Sequence, residues 1–264
     1  MLHSKSFLVS ALFAGLLVLG EVIYQFVLYC RGIDVETSVF YKWLGVNNGL
    51  FLGNYFYMAL PLLTATAYGW SIASDRETGY MTQMFSRVKR KTYFAAKYIV
   101  SFLSGGMIFS GALLLDFLLL ATFSPLYRPY PADLASAMSN FSFLGGLFYE
   151  HTFLFVLAWL GTAFLWGGAM VCIAVAASMI FRKRAVVCIT PFLVFTAQQL
   201  IGSYVMQNAP IQHRGNSLCL IWTNLLFAGT DTINPTAFVF CNIAVLIAVP
   251  TLFYVLKTRR YEYL

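Results

Sequence analysis

The chain has 264 residues, of which 60% are hydrophobic and only 10% are charged. Soluble domains carry about 25% charged residues, so this composition excludes an ordinary water-soluble protein and predicts an integral membrane protein. The net charge is +7. In a membrane protein, such an excess of basic residues sets the orientation or meets anionic lipid, and we expect no nucleic-acid partner.

The sequence motifs that would indicate an enzyme are absent. There is no G-x-x-x-x-G-K-[ST] segment, so the chain cannot hold ATP in a P-loop of its own. The five cysteines form no C-x-x-C pair, and the histidines His3, His151 and His213 are widely separated. We therefore predict no metal site, no cofactor bound by this chain and no enzymatic activity.

Six apolar runs are long enough to cross a bilayer, which takes about 20 residues in a helix. They predict an all-α membrane protein with a single transmembrane domain, residues 1–264. The first run is interpreted as an uncleaved anchor rather than a signal peptide, and Pro61 is expected to kink the second. The predicted spans are 7–29, 50–73, 98–123, 151–181, 185–206 and 236–256.

The distribution of basic residues predicts the orientation. With the N-terminus inside, 13 of the 17 Lys and Arg residues lie on the cytoplasmic side and 4 lie outside. Basic residues favour the cytoplasmic side, so both termini are predicted to be cytoplasmic. A further apolar run, 217–228, is too short to cross and is predicted to be a re-entrant or interfacial segment before the sixth span.

The longest polar run between two apolar segments lies between the second and third spans, and we assign residues 74–97 as a cytoplasmic loop. Six of the chain's basic residues fall in or beside it. Its apolar residues follow helical spacing, which predicts a short amphipathic helix lying flat at the membrane surface. The residues on that face are Tyr80, Met81, Met84, Phe85 and Val88.

Polar side chains inside the predicted spans allow two interpretations. Asp116 lies within an apolar run, and such a carboxyl usually faces the bundle interior or a cavity. Glu21 and Gln25 share one helical face, and Gln198 and Gln199 form a polar pair in the fifth span. These residues either line a substrate path or form hydrogen bonds between helices, and the sequence leaves both open.

Small residues are concentrated in the third and fourth spans. The third contains Gly105 and Gly106, and the fourth contains Ala163, Gly167 and Gly168. Small residues four apart let helices approach closely. We predict that this spacing serves packing within the chain, ahead of a dimer face.

The central loop resembles a known family in its motif. Asp75-Arg76-x-x-Gly79-Tyr80, a basic run, and then Tyr93-x-x-x-Lys97 is similar to the cytoplasmic loop of type-2 ABC exporter permeases. Family members usually begin this motif with Glu, so Asp75 keeps the acid on a shorter side chain. The resemblance implies a permease that pairs as a homodimer or heterodimer and docks on separate P-loop ATPase subunits, which hold ATP and Mg.

The resemblance also implies a coupling helix in the loop. Its apolar face would insert into the ATPase, and Asp75 and Arg76 would set the geometry of the loop through an ion pair or helix capping. The loop could instead be a basic topology anchor without a partner. The implied docking residues are Asp75, Arg76, Gly79, Tyr80, Met81, Met84, Phe85 and Val88.

The sequence thus predicts a multi-pass permease subunit of an ATP-driven exporter, in a bacterial cytoplasmic membrane. The predicted outer segments are aromatic and mostly uncharged, which favours an amphipathic or apolar cargo such as a peptide, lipid or drug. Two alternatives stay open. One is a secondary ion-coupled transporter that uses Asp116 and Glu21, and the other is a non-transporting membrane or immunity subunit.

Overall fold

The computed structural model describes residues 4–33, 37–46, 52–130, 143–181, 183–208 and 235–262, and within these ranges it contains helices and no strands. A π-helical turn, Ala65–Gly69, separates the third and fourth helices. The helices are α1 (Lys5–Cys30), α2 (Val39–Lys42), α3 (Gly53–Thr64), α4 (Ser71–Glu77), α5 (Tyr80–Phe85), α6 (Arg90–Leu120), α7 (Gly145–Glu150), α8 (Thr152–Ser178), α9 (Arg184–Asn208) and α10 (Pro235–Glu262).

Among the described residues, five helices are long and apolar enough to cross a membrane. They are α1, α6, α8, residues Arg184–Ile201 of α9 and residues Val239–Arg259 of α10. Five of the six predicted spans are therefore confirmed as helices of that kind. The predicted re-entrant segment, 217–228, lies outside the described residues.

The second predicted span is not one continuous helix. Pro61 lies inside α3, where its missing N–H removes one helical hydrogen bond. The π-helical turn begins four residues later and ends at Gly69. A Cβ atom on Gly69 would come within 2.7 Å of the Ala174 side chain, so the irregular turn brings this backbone close to α8.

Helices α6 and α8 pack through their glycines. A Cβ atom on Gly105 would lie 2.6 Å from the Gly167 carbonyl oxygen, and one on Gly167 would lie 2.6 Å from the Gly105 carbonyl oxygen. The Phe164 ring covers Gly106, where a Cβ atom would come within 2.7 Å of it. The predicted use of small residues for close packing within the chain is confirmed.

Helix α10 packs against α8 and also contacts the first turns of α6. The Tyr254 hydroxyl donates to the Phe94 carbonyl oxygen at 2.9 Å, and Tyr98 hydrogen-bonds Thr251. Residue numbers fall along α10 as they rise along α6, so the two helices are antiparallel. The end of α10 that carries Lys257 therefore lies beside the start of α6.

The glycine contact between α6 and α8 gives a stability prediction. Gly167→Ala would push a methyl group into the Gly105 backbone and should lower the free energy of unfolding by about 1–3 kcal/mol, the usual cost of overpacking. Thermal unfolding of the purified chain in detergent measures the change.

Gly161→Ala is the matched control, because a Cβ atom there meets nothing within 4 Å. Alanine is the better helix former, so this variant should be neutral or stabilised by up to about 1 kcal/mol. Equal unfolding temperatures for the two variants would contradict the close approach of α6 and α8.

Candidate functional site

Helices α4 and α5 follow each other with a sharp change of direction at Gly79. The φ angle of Gly79 is +72°. This left-handed conformation is unfavourable for any residue that has a Cβ atom. The Thr78 N–H donates to the Ser74 carbonyl oxygen at 3.0 Å, and the Thr82 N–H donates to Gly79 at 3.1 Å. Glycine at this position therefore sets the angle between α4 and α5.

The two ends of the loop motif meet at Asp75. The Lys97 ammonium lies 2.8 Å from Asp75 Oδ2, and the Tyr93 hydroxyl donates to the same oxygen. Tyr93 and Lys97 are four residues apart on α6, which places them on one face of the helix. We call these three residues the Asp75 cluster, and it joins α4 directly to α6.

The Asp75 cluster is partly shielded from solvent. The Asp75 and Lys97 side chains are each 16% exposed. The Lys97 ammonium also lies over two aromatic rings, 5.2 Å from the Tyr68 centroid and 5.8 Å from that of Tyr93. Cation–π contacts add to the attraction on the lysine. Asp75 thus makes an ion pair, which is one of the two expected geometries, and its partner in this pair is Lys97.

Neighbouring residues join α4 to the start of α9 and the end of α8. Glu77 pairs with Arg184 at 2.9 Å, although both side chains are about half exposed. The Arg184 guanidinium also lies 5.0 Å from the Trp70 ring centroid, and Arg76 Nη2 lies 3.8 Å from Met179 Sδ. Glu77 and Arg184 are not among the predicted site residues, since an exposed pair 107 residues apart leaves no local pattern.

The apolar face of α5 packs on the chain's own helices. Met81 is 8% exposed and belongs to a buried cluster with residues of α4, α6, α8 and α10. The Phe85 ring lies 5.6 Å from Tyr93 and 5.8 Å from Phe94, measured between centroids. Part of the face assigned to a partner is therefore covered within this chain, and its insertion into an ATPase stays a prediction.

Other residues of the loop are open to solvent, including two of the five predicted to share its apolar face. Tyr80 is 46% exposed and Val88 is 37% exposed, and both belong to the predicted docking set. Gln83 and Arg87 are also exposed, on the same stretch of chain. We call Tyr80, Gln83, Arg87 and Val88 the exposed strip, since these residues are available to a second protein.

The Asp116 carboxyl group bonds a backbone N–H rather than a charged side chain. It is fully buried, and its Oδ2 accepts a hydrogen bond from the Leu44 N–H at 2.9 Å. The Leu44 carbonyl oxygen accepts from the Tyr57 hydroxyl at 2.9 Å, and Trp43 Nε1 donates to Leu113 at 2.9 Å. Asp116 thus fixes the buried segment after α2 against α6.

Glu21 has a similar partner. Its Oε2 accepts from the Leu52 N–H at 2.6 Å, at the start of α3, and its Oε1 accepts from Gln25 at 3.1 Å. A helix start has N–H groups without helical partners, so the α1 carboxylate satisfies one of them. Gln198 and Gln199 are half-buried on α9, and a substrate path through any of these residues stays a prediction.

The chain matches no protein-family model, and no curated protein and no solved structure is significantly similar to it. The resemblance to type-2 ABC exporter permeases therefore depends on the loop motif and the predicted layout. Within the described ranges, no group of three or more His, Cys, Asp and Glu side chains is placed to hold a metal ion.

The two ion pairs of α4 give a second prediction. A double-mutant cycle on Asp75 and Lys97 (Asp75→Asn, Lys97→Met) should give a coupling free energy of about 1–2 kcal/mol. The pair is shielded, and removing one partner leaves the other charge without its ion pair. Chemical unfolding of the purified chain measures it.

The control is the same cycle on the Glu77–Arg184 pair (Glu77→Gln, Arg184→Met). Exposed pairs contribute about 0.2–1 kcal/mol, so this coupling should be the smaller. A larger coupling in the exposed pair would contradict the assignment of Asp75 as the residue that joins α4 to α6.

Asp116 gives a third prediction. Asp116→Asn keeps an oxygen that can accept from the Leu44 N–H, so the folded chain should persist with nearly unchanged stability. Asp116→Leu leaves that buried N–H without a partner and should lower the free energy of unfolding by about 1–3 kcal/mol. Chemical unfolding of the purified variants measures both changes, and an equal loss of stability in Asp116→Asn would contradict the structural role of the Leu44 bond.

Proposed function

We propose that the chain is the membrane permease subunit of an ATP-driven exporter, and that separate P-loop ATPase subunits drive it. The observation that carries the proposal is the Asp75 cluster, which joins the two ends of the loop motif while the segment between them presents the exposed strip. The chain has no P-loop, so ATP hydrolysis belongs to the partner.

The packing of the loop supports a role in transmitting force. The Asp75–Lys97 ion pair connects α4 to α6, and Gly79 connects α4 to α5. Met81 and Phe85 pack α5 against the same bundle. Because packed elements move together rather than deform, a push on the exposed strip would reach α6 and α8.

The proposed topology has six crossings, with the second formed by α3, the π-helical turn and α4 together. These elements run through residues 53–77, which is 25 residues. At about 1.5 Å per residue, such a segment exceeds a hydrocarbon core of about 30 Å. An even number of crossings places both termini on one side.

Basic residues from distant segments gather at the end of the bundle where α6 begins. Lys5 and Lys97 line one cavity, Arg184 reaches α4, and Lys257 lies on the antiparallel α10. The positive-inside rule assigns this end to the cytoplasm. The exposed strip then faces the compartment that contains ATP.

The remaining parts of the proposal follow from the family resemblance and from composition. A second permease chain, identical or different, completes the transporter. The cargo is amphipathic or apolar, and the complex resides in a bacterial cytoplasmic membrane.

Photo-crosslinking in native membranes tests the docking assignment. A photoreactive residue at Gln83 should crosslink to a P-loop ATPase identified by mass spectrometry, whereas one at Arg259 should not, although both positions are exposed at the same end of the bundle. Arg87→Glu should abolish the Gln83 crosslink and Arg259→Glu should leave it unchanged. Crosslinks to lipid alone from Gln83 would overturn the proposal and leave a topology anchor.

A further inference from the structure

Two cavities meet where α1 begins. An apolar cavity of about 530 Å³ lies between α1 and the α3 region, with walls that include Val9, Phe13 and Leu62. A polar cavity of about 310 Å³ lies beside it, against α4 and α6. The two share Lys5, Ser6 and Trp70 in their walls, so they form one site with an apolar half and a polar half.

Among the described residues, the charged groups that face the polar cavity are Lys5, Lys97 and Asp75. Lys97 is paired with Asp75 at 2.8 Å, so these two charges compensate each other. Lys5 is exposed and has no ion pair among the described residues. The cavity therefore carries a net positive charge, located at Lys5.

The backbone adds donors at the same place. The first turn of a helix has four N–H groups without helical partners, and the positive end of the helix dipole lies there. Helix α1 is 26 residues long, and the Ser4 side chain accepts one of these N–H groups, that of Phe7, at 3.3 Å. Ser4 and Ser6 both line the polar cavity.

A buried hydroxyl gives an independent indication of a ligand. Ser71 is 6% exposed and lies in the wall of the polar cavity. Its Oγ has no hydrogen-bond partner among the described residues. A buried hydroxyl without a partner costs free energy, and an oxygen acceptor in the cavity would remove that cost.

We propose that this site binds one anionic phospholipid from the leaflet at the end of the bundle where α1 begins. The phosphate would lie against Lys5, the first turn of α1 and Ser71, and an acyl chain would lie along Val9 and Phe13. The apolar half favours a lipid over a free phosphate, because a free phosphate leaves it unfilled. This inference depends on membrane embedding alone and not on an ATPase partner.

Native mass spectrometry of the whole chain in detergent tests the polar half. The chain is titrated with phosphatidylglycerol and, separately, with phosphatidylcholine of the same acyl chains. We expect one phosphatidylglycerol bound in preference to phosphatidylcholine, and Lys5→Glu should weaken its binding roughly ten-fold. Lys257→Glu, the same charge change at the same end of the bundle, should leave binding unchanged.

Two tryptophan variants of α1 test the apolar half. Val9→Trp would fill the cavity and should lower phosphatidylglycerol occupancy about ten-fold, whereas Leu12→Trp lies on the exposed surface of the same helix, outside the cavity, and should have no effect. Equal losses for Lys5→Glu and Lys257→Glu, or for both tryptophan variants, would overturn the proposal. Displacement of the lipid by millimolar inorganic phosphate would instead assign the site to a soluble phosphate compound.

Discussion

The geometry of the central loop depends on one partly shielded ion pair, Asp75 with Lys97. The carboxylate lies on α4 and the ammonium on α6, and the Tyr93 hydroxyl bonds the same carboxylate oxygen. Because α5 lies between α4 and α6 in the chain, the ion pair fixes the helices on both sides of α5. The same lysine lines the polar cavity at the start of α1, so the loop and the proposed lipid site share a wall.

A second constraint is the need to satisfy backbone N–H groups in an apolar medium. The region between α1 and α3 contains irregular backbone, and two buried carboxylates from spanning helices meet it. Asp116 accepts from Leu44, and Glu21 accepts from Leu52. A buried carboxyl group without hydrogen bonds is costly, and the bonds to backbone give a structural reason for each of these groups to be there.

Several features could be predicted from the sequence, and others could not, for physical reasons. Apolar length predicted six spans, and the described residues contain five helices long and apolar enough to cross a membrane. Small-residue spacing predicted close packing within the chain, but not that α6 and α8 are the helices that meet. The π-helical turn that follows Pro61 brings Gly69 close to α8. The periodicity of the sequence does not predict such a turn. The acidic residue in the loop predicted an ion pair or a helix cap. The sequence did not show which of the six nearby basic residues would be its partner. Helical spacing predicted the apolar face of α5 without showing which surface covers it. The hydrogen bond from the Leu44 N–H to Asp116 could not be predicted, because the sequence does not show which backbone N–H groups need a side-chain partner.

Purification of the tagged chain from its native host in mild detergent, with mass spectrometry of the proteins that accompany it, tests whether this chain works with a separate ATPase. We expect a P-loop ATPase in stoichiometric amount, with one or two permease species. A chain that purifies alone and still moves solute down a proton or sodium gradient would contradict this expectation.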